Sequence, residues 1–312
     1  MNHQKFSYSP SESVPFRDRK EIERVLKIKR EDLEKHPNPE FKIKVIPDAE
    51  IEFILIADML KRIRESSETG KKLVLILPNP CPTYRHVARL INALNLDCRN
   101  LYAFAMDEYA DERGNVAPPG WEFSFTYAMF KYFYYNIDER LRPDKRQFTG
   151  FTNRNVACYG KMIEDLGGAD ICYSGPGWTG HLAFIEPDAP EFAAPLDEWK
   201  EMSARIVTLS PYTIAQNSLY GTFGKSGNLA AVPPKAATIG PAEVIRAKSR
   251  MDTHAITVHG TDTAWQRFIS RLVLHGPVTP LVPESILQTL PTAVYVSENI
   301  ARNIEPDWNK GY

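Results

Sequence analysis

The pair Asp107-Glu108 and the run Gly175-x-Gly177-x-x-Gly180-His181, with Glu186 shortly after it, carry side chains able to move protons. Histidine titrates near neutral pH, and a nearby carboxylate orients the ring and stabilises its charged form. Three glycines just ahead of the histidine let backbone amides approach a bound group closely. A second carboxylate beside a histidine–glutamate pair completes a proton-transfer site. The glycine spacing also matches a dinucleotide-binding fingerprint, which requires a helix that starts inside the motif. Pro187 and Pro190 follow too soon for such a helix, so no dinucleotide cofactor is expected. The plainer alternatives are a structural turn with one solvated histidine, and an exposed acidic pair at 107–108.

Both groups follow apolar runs of buried-strand type. Residues 101–105 lead into Met106-Asp107-Glu108-Tyr109, and residues 170–174 lead into Gly175. Gly167-Gly168 suits the left-handed end of a helix over 156–166. Further strands are expected at 41–46, 73–77, 205–209, 236–240, 254–258 and 292–296. Helices are expected at 49–65 (capped by Asp48), 83–94, 123–135, 211–220, 242–248 and 262–274. Strand alternating with helix implies a parallel sheet covered on both faces. The expected class is α/β, a doubly wound and mainly parallel sheet in a three-layer α/β/α sandwich. Two strand ends of such a sheet converge in space although far apart in sequence. Residues 41–312 read as a single domain. Residues 1–40 read as a charged extension with a helix over 21–35, its apolar face Ile22, Val25, Leu26 and Leu33, ended by Pro37 and Pro39. This extension is expected to pack on the main domain or on a neighbouring subunit.

The chain has 312 residues, 43% of them hydrophobic, enough for a substantial core. Its 38 Lys+Arg against 39 Asp+Glu leave it nearly neutral, which argues against nucleic acid or an anionic membrane as main partner. No apolar run is long enough to span a membrane, and residues 1–20 lack the apolar centre of a signal peptide. Cys81, Cys98, Cys158 and Cys172 show no C-x-x-C pairing, as expected of reduced thiols in a cytoplasmic protein without a zinc site. No metal and no cofactor are expected.

Met106-Asp107-Glu108-Tyr109 resembles the M-D-E-Y signature of the glucosamine-6-phosphate deaminase/isomerase family. Gly180-His181-Leu182-Ala183-Phe184-Ile185-Glu186-Pro187 resembles that family's G-H-I-A-F-N-E-P, and Pro234-Lys235-Ala236-Ala237-Thr238-Ile239-Gly240 looks like its P-K-x-A-L-T-V-G. Residues 265–275 are similar to its penultimate helix. The resemblance runs from about residue 41 to 300. The sister 6-phosphogluconolactonases share the G-H but not the F-x-E-P, so Glu186 favours the isomerase branch. The resemblance implies interconversion of an aldose amino sugar and a ketose, with ammonia lost or gained. Asp107 would move the proton between C1 and C2, His181 would assist ring opening, and Glu186 would support His181. Glu108, Gly175, Gly177, Thr179, Gly180 and Lys235 would serve the substrate, Lys235 through its phosphate. The expected partner is a sugar or sugar phosphate, and the expected state a homo-oligomer.

Three departures from the family pattern bear on the substrate. Thr179 stands where the family has an aspartate, and threonine brings no charge to the histidine. Pro78-Asn79-Pro80-Cys81-Pro82 replaces the glycine-rich phosphate loop, and proline has no N–H to offer a phosphate. Asn217-Ser218-Leu219 replaces Asn-Ser-Arg, removing a charge-assisted donor. Two of three expected phosphate contacts are therefore missing, and the sequence points to a substrate other than simple glucosamine 6-phosphate. The reading from another class is a non-catalytic sugar-binding protein on the same fold.

Overall fold

Strand β2 (Leu73–Leu77) sends Val74 and Ile76 into one hydrophobic cluster and Leu73, Leu75 and Leu77 into another, and all five are buried. Successive side chains on a strand point to opposite faces, so an unbroken apolar run requires cover on both sides. The computed structural model, which describes residues 8–257 and 260–309, provides that cover. On one face lie the helices Ile51–Thr69 and Tyr84–Ala93, through Met59, Ile63, Val87 and Ile91. On the other lie Tyr159–Glu164, Pro241–Arg246 and Gln266–His275, through Ile163, Val244, Ile269 and Leu272.

The remaining strands are β1 (Phe41–Ile46), β3 (Leu101–Ala105), β4 (Asp107–Ala110), β5 (Phe148–Thr149), β6 (Ile171–Ser174), β7 (Arg205–Thr208), β8 (Lys235–Thr238), β9 (Arg250–His254) and β10 (Thr292–Ser297). Seven of the strands form one parallel sheet in the order β1-β10-β9-β6-β2-β3-β5. The expected mainly parallel, doubly wound α/β sandwich is the observed fold.

A second sheet, β4-β8-β7, is antiparallel. The alternation of elements in the sequence assigns 205–209 and 236–240 to the parallel sheet, and these two strands belong to the small sheet instead. The strand expected to stop before Met106 does so, but the chain turns there and re-enters as β4 one residue later. The Met106 amide donates to Leu77 O in the main sheet (2.9 Å), and its carbonyl accepts from Ile239 N (3.0 Å) beside the small one.

Other boundaries differ for identifiable reasons. The strand expected at 254–258 lies earlier, as β9, because it buries Arg250, Asp252 and His254 and so lacks an apolar signature; Val258 falls outside the described residues. The helix expected over 21–35 runs only Arg19–Leu26, capped by Asp18, and a single turn Arg30–Asp32 follows. Asp48 does not cap the helix Ile51–Thr69; its Oδ2 accepts from Asn299 N (3.2 Å). Gly167 and Gly168 both have positive φ (96° and 81°), as a helix end requires.

The segment before β1 packs on the main body. Val25 and Leu33 are fully buried in the same cluster as the helix Gln266–His275, and Arg24 Nη2 donates to His275 O (2.6 Å). Among the described residues, no helix is long and apolar enough to cross a membrane.

Candidate active site

Strands β2, β3, β6 and β9 end on one edge of the parallel sheet. Residues just beyond them, Pro78, Met106, Gly175 and Ala255, line a cleft of about 750 Å³. After β2 the chain builds outward through β3 and β5, then crosses back to β6 on the other side of β2. Open α/β sheets bind ligands at such a switch point, outside the carboxyl ends of the strands.

Asp107 and His181 both line this cleft, one from each side of β2. Asp107 is 7% exposed, and its Oδ1 is buried without a hydrogen-bond partner among the described residues. Burial, and then the charge of Glu108, push its carboxyl well above the usual carboxylate range. Such a carboxylate is a stronger base than a solvated one.

Three groups converge on His181 Nδ1: Thr213 Oγ1 at 3.0 Å, Thr179 Oγ1 at 3.2 Å and Glu186 Oε2 at 3.2 Å. Thr179 also donates to Glu186 Oε2 (3.3 Å), and Ser210 N donates to Glu186 Oε1 (3.4 Å). The imidazole lies against Gly177, where an added methyl group would overlap Nε2 and its ring neighbours. The glycine at 177 is therefore a steric requirement of His181, and no helix follows the glycines as a dinucleotide site would need.

Of the other residues singled out in sequence, Gly175 and Gly177 line the cleft, whereas Thr179, Gly180 and Glu186 sit behind its wall. Glu108 turns away from the cleft. Its carboxylate accepts from Tyr109 N and Phe125 N at Oε1 (both 3.0 Å), and from Ser124 Oγ and Thr126 N at Oε2 (both 2.8 Å). It thereby secures the start of the helix Phe125–Tyr132. Lys235 does not line the cleft either. It pairs with Ala110, whereas Asp107 pairs with Thr238 at the other end of β8, roughly 10 Å along the strand.

Sequence reasoning missed Thr213, which lies on the helix Pro211–Ser218 and gives no motif signal. It also missed Asp48 and Glu52, which the single turn Asp48–Glu50 and the start of the helix Ile51–Thr69 bring to the cleft wall with residues 78–82. Glu52 Oε1 accepts from Thr83 Oγ1 (3.2 Å). Tyr220 lines the cleft as well, its hydroxyl accepting from Gln216 Nε2 (2.9 Å), and burial pushes its phenol up to about 12. Cys81 in the proline loop is pushed up to about 11 by burial, so it faces the cleft as a neutral thiol. No group of three His, Cys, Asp or Glu side chains able to hold a metal ion occurs among the described residues.

No family model matches the chain. The glucosamine-6-phosphate deaminase of Caenorhabditis elegans is 30% identical to it over 200 residues, spanning 62% of this chain and 67% of that relative. The chain belongs to the glucosamine-6-phosphate deaminase family. The family's enzyme from Lachnoclostridium phytofermentans is 29% identical over 215 residues, 68% of this chain and 80% of its own. A solved monomeric glucosamine-6-phosphate deaminase shares the fold at a TM-score of 0.67 and 21% identity, over 83% of this chain and 98% of its own. A 6-phosphogluconolactonase from Trypanosoma cruzi does so at 0.57 and 16%, over 86% and 97%. The fold is thus common to both groups, and the chain is a divergent enzyme of the deaminase family.

Proposed function

We propose that this protein catalyses aldose–ketose isomerisation of a sugar that carries no phosphate; where the aldose bears an amino group at C2, the proton shift is followed by addition of water at C2 and release of that nitrogen as ammonia. The observation that carries the substrate reading is the charge of the cleft. Its acidic lining residues are Asp48, Glu52 and the buried Asp107, and His181 also lines it; among the described residues no lysine or arginine does. A phosphate dianion requires charge-assisted donors and would meet like charge here. A free amino sugar carries an ammonium group that the same carboxylates attract.

In this reading Asp107, raised in basicity by burial, carries the proton between adjacent sugar carbons. His181 Nε2 exchanges a proton with the ring oxygen as the ring opens. Glu186 stabilises the imidazolium through Nδ1, and Thr179 and Thr213 hold the ring in place. Glu108 supports the fold around the base without touching the sugar. A cytoplasmic location and a homo-oligomeric state belong to the same proposal.

Thermal-shift and calorimetric titration with glucosamine, glucosamine 6-phosphate and the matching ketoses test it. The free amino sugar is expected to raise Tm and to be turned over. Micromolar affinity for glucosamine 6-phosphate would overturn the phosphate-free substrate. Binding without turnover of any sugar would favour the non-catalytic sugar-binding reading, which draws on the same missing cations and on the position of Lys235.

A further inference from the structure

Behind the glycine loop lies a chain of buried polar groups that the proton-transfer reading does not use. Ser174, the last residue of β6, donates from Oγ to Asp252 Oδ1 (2.9 Å). Asp252 Oδ2 faces His254 Nε2 (2.8 Å), and His254 Nδ1 faces Ser270 Oγ (2.8 Å) on the helix Gln266–His275. Asp252, His254, Ser270 and Glu284 are all fully buried. Neither carboxyl oxygen of Glu284 has a hydrogen-bond partner among the described residues. Burial and then the nearby charge of Asp252 push the Glu284 carboxyl well above the usual range. Asp252 is also penalised by burial, yet His254 holds it below its ordinary value.

Apolar side chains of similar size would serve the core at least as well, because buried charges cost desolvation that their mutual attraction seldom exceeds. Three contacts connect this region to the site. Ser174 opens the loop. Glu284 N donates to Gly180 O (3.0 Å), immediately before His181. Gln266 Nε2 donates to Pro176 O (2.8 Å). These anchors fall on both sides of Gly177, whose backbone abuts the His181 ring.

We propose that Ser174, Asp252, His254, Ser270 and Glu284 form a positioning network that fixes the Gly175–Gly180 backbone, and through it the imidazole of His181. The proposal rests on the reading of His181 as a proton-transfer group, but its test does not depend on turnover alone. The network holds β9 and the segment Pro283–Thr289 in a register that apolar packing would specify less sharply. Displacing a catalytic group by about 1 Å costs as much as 10²-fold in rate. Its effect therefore belongs on kcat rather than on KM.

The test compares three variants of the full chain: the triple replacement Asp252→Val/His254→Leu/Glu284→Leu, the conservative Glu284→Gln, and Ser174→Ala, which cuts the link between loop and network alone. The His181 ring resonances, assigned by their loss in His181→Gln, report its position, and kcat and KM are measured on the sugar found by the screen. In the triple variant Tm is expected to hold or rise, the His181 resonances to shift or broaden, and kcat to fall roughly 10- to 100-fold with KM little changed. Glu284→Gln, which keeps the size and polarity of the side chain and removes only its acidic group, is expected to stay close to the parent. If the triple variant does not fold, Ser174→Ala decides by the same readouts. Unmoved His181 resonances with parental kcat in a folded variant would overturn the proposal, whatever happens to Tm. If the parent turns over no sugar, the catalytic reading fails while the resonances still decide the positioning.

Discussion

Asp107 and Glu108 are adjacent on β4 and opposite in environment: Asp107 faces the cleft with a buried oxygen that has no partner among the described residues, while Glu108 faces the fold and receives four hydrogen bonds. Alternation along a strand is enough to separate them. A single dipeptide thus supplies the proposed base and a structural anchor, and substitutions at the two positions are expected to act differently.

Asp107→Asn keeps the shape and removes the proton acceptor. Turnover is expected to fall by about 10²–10⁴-fold, with substrate binding little changed. The same variant has a stability signature. A carboxyl whose folded pKa lies above its unfolded value contributes stability that is full below about pH 4 and lost as pH rises toward the folded pKa. An amide in its place does not titrate and suffers no such loss, so the variant should melt above the parent at pH 7, with the gap closing toward pH 4. Melting curves across that range check it, and a variant less stable than the parent at pH 7 would contradict the burial argument.

Glu108→Gln leaves one acceptor oxygen for four donors. Unsatisfied buried donors cost about 1–3 kcal/mol each, so a loss of roughly 2–4 kcal/mol in urea unfolding is expected. KM should remain close to the parent's in kinetics on the folded variant. A large rise in KM would mean that Glu108 touches the sugar after all.

Gly177→Ala places a methyl group in the His181 ring. The ring or the loop must shift, at a cost of about 1–3 kcal/mol, and turnover should collapse although no ionisable group has been removed. Parental activity in this variant would show that the contact between Gly177 and His181 is dispensable.

Thr179→Val preserves volume and removes the hydroxyl shared by His181 and Glu186. Thr213 still reaches Nδ1, so the single variant should lose about 1 kcal/mol and only part of its turnover. Thr179→Val combined with Thr213→Val should lose more than the sum of the two, because both act on one atom. A double-mutant cycle measures the difference.

What the sequence disclosed depended on whether burial left an apolar mark. Leu73–Leu77 and Leu101–Ala105 are legible as strands because every position is apolar or aromatic. Arg250–His254 is not, because a buried polar network occupies alternate positions in the middle of the sheet, and the apolar signal lies further on, at Ala255 and Ile256. The catalytic candidates Asp107, His181 and Glu186 stand out through motif resemblance, and the departures at Pro78–Pro82 and Leu219 anticipate a cleft without cations. Asp48, Glu52 and Thr213 carry no comparable signal, since their approach to the site depends on where the turn Asp48–Glu50, the start of the helix Ile51–Thr69 and the helix Pro211–Ser218 come to lie. Lys235 matches a motif but its place on β8 leaves it off the cleft wall, which spacing alone does not disclose.

The double engagement of Met106 has a mechanical meaning. Its amide bonds into the large sheet and its carbonyl accepts from Ile239, the residue just after β8, so the residue immediately before the proposed base is tied to both sheets. Neither sheet can tilt against the other at this point without breaking one of those bonds. The Asp107 wall of the cleft is therefore the side held by backbone bonds to both sheets. Residues 220–222 and 255–256, which also line the cleft, lie outside both sheets and lack this double tie.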